Sequence, residues 1–146
     1  MPPRRKGENP SGAHGRWGEE VAAEYLRIRG YVIVDRNVRP CPWDRRLEID
    51  IIAYDRKLDV MVFVEVKQHK ARSAYATRLQ SVDRRKKRLL RTACRAWLTH
   101  NRWAGGRRFD VIEVYGTPGG QQHAEIDHIE RVRLFTEEER FVNWSD

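Results

Sequence analysis

Cysteine is scarce in this chain, at two in 146 residues. Cys41 and Cys94 lie far apart with no CxxC spacing, which leaves no disulfide framework and excludes a zinc knuckle. A reducing, cytoplasmic setting is the expectation. Long apolar runs are also missing: no stretch approaches the ~18 residues that span a bilayer, so no membrane contact is expected. The opening MPPRRKGENPSGAHG has neither an apolar core nor a cleavage-site pattern, and it reads as a basic arm rather than a signal peptide. Internal repeats and dividing linkers are absent as well. The expected organisation is a flexible arm over 1–14 and a single domain over 15–146. The five histidines show no HxH or HExxH spacing, so no metal role is expected of them.

Positive charge, by contrast, is abundant. The formal net charge is +8 and the sequence pI about 9.9. Such a balance favours a polyanionic partner, because phosphate contacts by Arg and Lys release counterions. Hydrophobic content of 40% with five tryptophans still indicates a globular core, while 34% charged residues and a mean hydropathy of -0.79 place the surface in water.

Periodicity predicts a helix over 15–30, with Trp17, Val21, Tyr25 and Ile28 inward, beside Ala22 and Leu26. Gly30 closes it at the C′ position. Glu19 falls on the margin of that stripe. Strands are predicted over 31–38, 47–55, 60–67, 108–115 and 124–129, a second helix over 81–99, and a short acidic helix over 136–143. The order is α, three strands, α, strand, which implies one mixed α/β sheet with helices on its faces.

The run VMVFVEVK (60–67) poses the functional question. Val62, Val64 and Val66 mark one face, so Phe63, Glu65 and Lys67 project from the other, where charge is costly to desolvate. Centring the preceding turn between Lys57 and Leu58 sets Ile52 opposite Phe63, Asp50 opposite Glu65, and Glu48 opposite Lys67. Cross-strand partners share a face, and a slip of one residue would scatter the set. Like charges about 5 Å apart repel by roughly 3 kcal/mol at an effective dielectric of 20, and one lysine does not offset three carboxylates. A divalent cation would, and oxygen donors without His or Cys suit Mg²⁺ or Mn²⁺, with Asp50 and Glu65 as the natural pair. The competing reading is a solvated strand face with ordinary acid–base pairs, and the spacing alone does not choose between them.

These residues match a known pattern. Asp50 with Glu65-Val66-Lys67 resembles the D…(D/E)xK signature of the PD-(D/E)XK nuclease superfamily. More narrowly, the chain is similar to the YraN-like family of small bacterial proteins, predicted endonucleases related to archaeal Holliday-junction resolvases. The resemblance runs from residue 15 to about 115. It takes in Gly15, Gly18, Glu19, Ala22, Tyr25, Leu26, Gly30-Tyr31, Arg36-Asn37, Glu48-Ile49-Asp50, Phe63 to Lys67, Lys86, and Arg108-Phe109-Asp110-Val111. Two positions depart from it: Leu47 where the family usually has Gly, and His69 where it usually has Arg. The second departure weakens an expected phosphate contact.

The resemblance implies a restriction-endonuclease-like αβββαβ core and a metal-dependent, structure-specific DNA endonuclease. Asp50 and Glu65 would hold the metal, and Lys67 would orient or activate the attacking water. Glu19 would assist as an auxiliary ligand. Glu48 has no assigned role, and pairing with Lys67 is one option. Resolvase-like enzymes cut branched DNA as dimers, which makes a homodimer compatible with the chain, although no interface is legible in it.

The segment RRKKRLLR (84–91) carries six positive charges. For Arg84, Arg85, Arg88 and Arg91, a solvated helix face competes with DNA contact. Lys86 shares the inward stripe with Val82, Leu90, Ala93 and Trp97, so it either snorkels out or reaches the acidic face, and the second, as a phosphate or active-site contact, is the expectation. Trp43, in the Pro-rich loop 39–46, is expected to pin that loop to the core, with base stacking the lesser reading. Cys94 is expected to be a small buried residue. Two other functions stay open: a nucleic-acid-binding module without efficient catalysis, and a subunit whose basic surface meets an acidic protein.

Overall fold

The computed structural model describes residues 10–72, 84–120 and 123–136, with side chains from residue 15 onward. Helix α1 (Pro10–Ile28) leads into strands β1 (Val32–Val38), β2 (Ile49–Asp55) and β3 (Val60–His69). Helix α2 (Arg84–His100), β4 (Gly106–Tyr115) and β5 (Glu125–Ile129) follow. The strands form one sheet in the order β1-β2-β3-β4-β5. All neighbours are antiparallel except β3 and β4, which run parallel with α2 as their crossover. This is the restriction-endonuclease-like αβββαβ core, with β5 added at the edge.

The first helix starts earlier than its periodicity suggests. Pro10 opens it, at a position where a missing N–H costs nothing, so five residues of the expected 1–14 arm belong to the helix. Its other end follows the expectation. Gly30, at φ 90, receives the chain as Gly30 N–H donates to the Arg27 carbonyl and Tyr31 N–H to the Leu26 carbonyl, a Schellman closure. Ile28 is a correction: it is exposed, because it lies two residues, about 200° round the helix, from Leu26. The inward stripe centres on Ala22, Ala23 and Leu26, with Trp17, Val21 and Tyr25 partly buried against the same core, as expected. Val82 and the helix expected over 136–143 fall outside the described residues, apart from Thr136.

The sheet divides two cores. On one face Ala22, Ala23 and Leu26 of α1 meet Ile51, Val62, Val64, Ile112 and Val114. On the other, Leu90, Ala93, Cys94 and Trp97 of α2 meet Ile52, Phe63, Phe109 and Val111. Strand β3 therefore alternates as expected, with its valines toward α1 and Phe63 toward α2. The hairpin register is the expected one, Ile52 opposite Phe63 and Ile51 opposite Val64. Leu47, the first departure from the family pattern, is buried on the α2 side and leads directly into β2. Among the described residues no helix is long and apolar enough to cross a membrane.

A buried polar network locks the α1 side. Asp110, fully buried, accepts both Nε (2.8 Å) and Nη2 (2.8 Å) of Arg108 and the backbone N–H of Arg131 (3.1 Å). His128 Nε2 lies 2.7 Å from the same carboxylate, and its Nδ1 lies 3.2 Å from the Tyr25 hydroxyl. A carboxylate only accepts, so Nε2 carries the proton and Nδ1 accepts from Tyr25. Arg108 also donates to Asp55 (3.2 Å) and to the Tyr31 hydroxyl (2.8 Å). One arginine–aspartate pair thus joins β2, β4 and β5, and Tyr25 and Tyr31 join it from the α1 side.

Burial alone would raise the Asp110 carboxyl, but the bonds from His128 and Arg108 outweigh it and hold the group below the usual range. A depressed acid contributes stability in full above its unfolded value and loses it as pH falls through the folded one. Unfolding by urea should therefore show a steep loss of stability on acidification in the wild type and a shallower one in Asp110→Asn. At neutral pH that variant should be less stable by about 3 kcal/mol, since it removes the bidentate carboxylate from the buried Arg108 and leaves Asp55 as its remaining charge partner.

Candidate active site

Three features of the fold bring the acidic side chains together. The β2–β3 register places Asp50 one residue beyond the Ile51–Val64 pair, and its Oδ2 accepts the backbone N–H of Val66 at 2.8 Å. Glu65 follows Val64 on β3 and is 5% exposed. The third feature is Gly18: a Cβ there would stand 3.0 Å from Gln68 Cβ, so glycine lets α1 approach the end of β3 where a side chain would push Gln68 aside by a few tenths of an ångström. Glu19, the next residue, is thereby brought within reach of Glu48 and Glu65, whose charges it feels. A bulge between Ile33 and Asp35 and the left-handed conformation of Asn37 (φ 51) shape β1 at the same place. The Asn37 amide hydrogen-bonds the Glu19 carboxylate. Glu19 Oε2 is buried with no hydrogen-bond partner among the described residues.

Two lysines face these acids. Lys67 Nζ lies 3.4 Å from Glu65 Oε1, and Lys86 reaches in from α2 to form a close ion pair with the same oxygen. Glu48 does not pair with Lys67, contrary to one option above. It is taken by Arg39 at 3.3 Å, because the loop before β2 brings that guanidinium to the strand's entrance. Asp50, Glu65 and Glu19 thus face two ammonium groups rather than one.

The titration behaviour follows from this crowding. Burial, and then the charge of Glu65, push the Asp50 carboxyl well above its ordinary value; the Val66 N–H only partly opposes them. The two carboxyl groups lie close enough for each to disfavour the other's charge, so Asp50 holds a proton more readily than a free aspartate. Burial likewise raises Glu19. Lys67 is lowered by burial and by the adjacent Lys86, which brings its amine closer to a state able to accept a proton. Burial also disfavours the Lys86 ammonium, but Glu65 outweighs it and Lys86 is raised.

Do these residues fit a divalent cation? No three acidic, histidine or cysteine side chains among the described residues converge into a ready cage. The donors instead consist of a carboxyl pair and an unpartnered buried oxygen on Glu19, all hard oxygen. Mg²⁺ commonly takes one or two carboxylates and completes its shell with water and phosphate, so the set fits that ion or Mn²⁺.

The basic helix flanks the cluster. Arg85 and Lys86 line a cleft of about 250 Å³ together with Arg46, Glu48, Leu89 and Leu90. Arg84 and Arg88 lie with Lys87 and Arg91 around a neighbouring depression on the same helix. The Arg91 guanidinium is braced at one side, where its Nε donates to the Leu134 carbonyl at 2.7 Å.

Two residues beside the site carry structure that periodicity did not assign. Glu113, 3% exposed, stands opposite Lys67 in the parallel β3–β4 register and accepts the Tyr115 hydroxyl at 3.1 Å. Its sequence signal is the one that singled out Glu65: an acid at an inward position of an apolar strand. His69, the second departure, has Nε2 3.5 Å from Glu113 and stacks on Tyr115 with ring centroids 5.0 Å apart.

Comparison with known proteins places the residues above in a wider set. The family model described as "Uncharacterised protein family UPF0102" matches residues 18–114. A UPF0102 protein of Trichlorobacter lovleyi is 38% identical over 118 residues, covering 80% of this chain and 87% of its own. One of Symbiobacterium thermophilum is 40% identical over 116 residues, 77% of this chain and 90% of its own. One of Thermotoga maritima is 36% identical over 116 residues, 80% and 93% respectively.

The raised Asp50 carboxyl has the opposite pH signature to Asp110. Between the unfolded and folded values the native state holds a proton that the unfolded chain has released, so stability falls as pH rises through that window. Without divalent cations, Asp50→Asn should remove this slope and raise stability near neutral pH by about 1 kcal/mol, measured by urea unfolding in EDTA. A destabilised variant with the slope intact would mean that Asp50 is an ordinary ionised carboxylate.

Proposed function

The chain belongs to the UPF0102 family, and from its acidic cluster we propose that it is a divalent-cation-dependent DNA endonuclease, selective for DNA structure, that hydrolyses phosphodiester bonds. The observation that carries this reading is the Asp50–Glu65 carboxyl pair with the Lys67 amine 3.4 Å from Glu65, joined through Lys86, which also pairs with Glu65, to a cleft that Arg46 and Arg85 line. Asp50 and Glu65 would hold Mg²⁺ or Mn²⁺, and Glu19 Oε2 would accept a hydrogen bond from a water in the ion's shell. When bound, the ion supplies Lewis acidity and a water of lowered pKa.

The remaining roles belong to the chain itself. Lys67 Nζ, with its depressed basicity, orients the attacking water and takes its proton. Lys86 Nζ, once released from Glu65, neutralises the phosphate as negative charge builds on it. Arg84, Arg85 and Arg88 contact the DNA backbone without reading sequence.

A second reading, a nucleic-acid-binding module without efficient catalysis, draws on one observation: Lys86 already holds the Glu65 carboxylate that an ion would need. Catalysis separates the two. Linear, flapped and four-way-junction DNA should be cut in Mg²⁺ or Mn²⁺ and left intact in EDTA. Asp50→Ala and Lys67→Ala should each lower the rate by about 10²-fold or more while Lys67→Ala still binds DNA. Absence of cleavage on every substrate, or cleavage indifferent to both substitutions, would refute the endonuclease.

A further inference from the structure

Trp43 does not pin its loop. It is 79% exposed, and the loop is anchored instead by Cys41 and Leu47, at 1% and 3% exposure, both in the core on the α2 side. Between those anchors the chain makes two tight turns. Asp44 N–H donates to the Cys41 carbonyl and Leu47 N–H to the Asp44 carbonyl, each at 3.1 Å. Pro42 occupies the second position of the first turn, where its fixed φ suits the geometry, and Trp43 takes the third. The Asp44 carboxylate braces the second turn by accepting the backbone N–H (3.0 Å), Nε (3.0 Å) and Nη2 (2.8 Å) of Arg46. The indole is thus presented to water on a stiff frame.

An exposed aromatic is ordinary in isolation. Here its surroundings indicate what would cover it. The other exposed large hydrophobics among the described residues are Ile28, Val32, Val34 and Leu58, none of them in this loop or on α2. The loop of Trp43 carries three cations, Arg39, Arg45 and Arg46, with Arg39 paired to Glu48 and Arg46 to Asp44, and Arg46 lines the cleft that also holds Arg85 and Lys86. One rigid aromatic in a basic field is the arrangement that stacks nucleobases while cations track the phosphates.

Bases of an intact duplex present no free face, so only an unpaired base can stack on a side chain outside the helix. We propose that Trp43 is the stacking platform for an unpaired DNA base next to the phosphates tracked by the cations of the cleft, Arg46, Arg85 and Lys86. It confers a preference for frayed, flapped or branched DNA over continuous duplex. The proposal rests on the DNA-directed reading of the cleft, and it is tested without turnover so that the two can fail separately.

Binding is measured by fluorescence anisotropy in EDTA, at one fixed salt concentration, on a single strand, a forked duplex and a blunt duplex of matched length. Trp43→Ala should weaken binding to the single strand and the fork by about tenfold, and to the blunt duplex by no more than about twofold. Trp43→Phe should keep most of the affinity. Abasic sites in the single-stranded arms of the fork should reproduce the loss in the wild type and add little in Trp43→Ala. An equal loss on all three DNAs, or no loss on any, would overturn the platform whether or not the protein cleaves DNA. Base-dependent binding by a protein that never cleaves would retain it and refute only the endonuclease.

Discussion

The register of β2 on β3 is the constraint on which the site depends. Ile52 opposite Phe63 fixes which faces the hairpin buries, and the same parity brings Asp50 against the backbone of Val66 and beside Glu65. Shifting either strand by one residue would turn Phe63 and Ile52 out of the α2 core and separate the carboxyl groups. Core packing and site geometry are therefore selected together. The parallel β3–β4 pair extends the constraint, because it sets Glu113 beside Lys67, and the Arg108–Asp110 pair locks β4 from the opposite face.

The energetics of the cluster run against stability. Asp50 is disfavoured as an anion, Glu19 has a buried oxygen without a hydrogen-bond partner among the described residues, and Glu65 is shared between two lysines. A fold needing only a filled core would replace these groups with apolar ones, as it does elsewhere on β2 and β3. Strain of this kind concentrates where charge is needed for chemistry. The Lys86–Glu65 pair gives it a specific form: an ammonium occupies the carboxylate that, on the proposed reading, an ion claims in the working enzyme.

Much of this was legible in the sequence where a local rule and a packing rule agreed. Alternating valines and a polar turn at 56–59 gave the hairpin and its register, Gly30 marked the end of α1, and the position of Lys86 among Leu90, Ala93 and Trp97 sent it inward. What stayed hidden depended on where loops and edges travel. Arg39 reaches Glu48 through the path of the 39–46 loop, which no periodicity encodes. Ile28 and Trp43 are large apolar residues left in water, and hydrophobicity alone assigns both to the core. His128 reads as an isolated histidine until β5 pairs with β4 and carries it to Asp110.

The central claim is that Asp50 and Glu65 form one cation site, and a Mn²⁺ titration followed by electron paramagnetic resonance tests it most directly. Wild-type protein should bind Mn²⁺ saturably, with Mg²⁺ competing, and Asp50→Asn should bind it at least about tenfold more weakly. No saturable binding in the wild type, or equal affinity in Asp50→Asn, would contradict it.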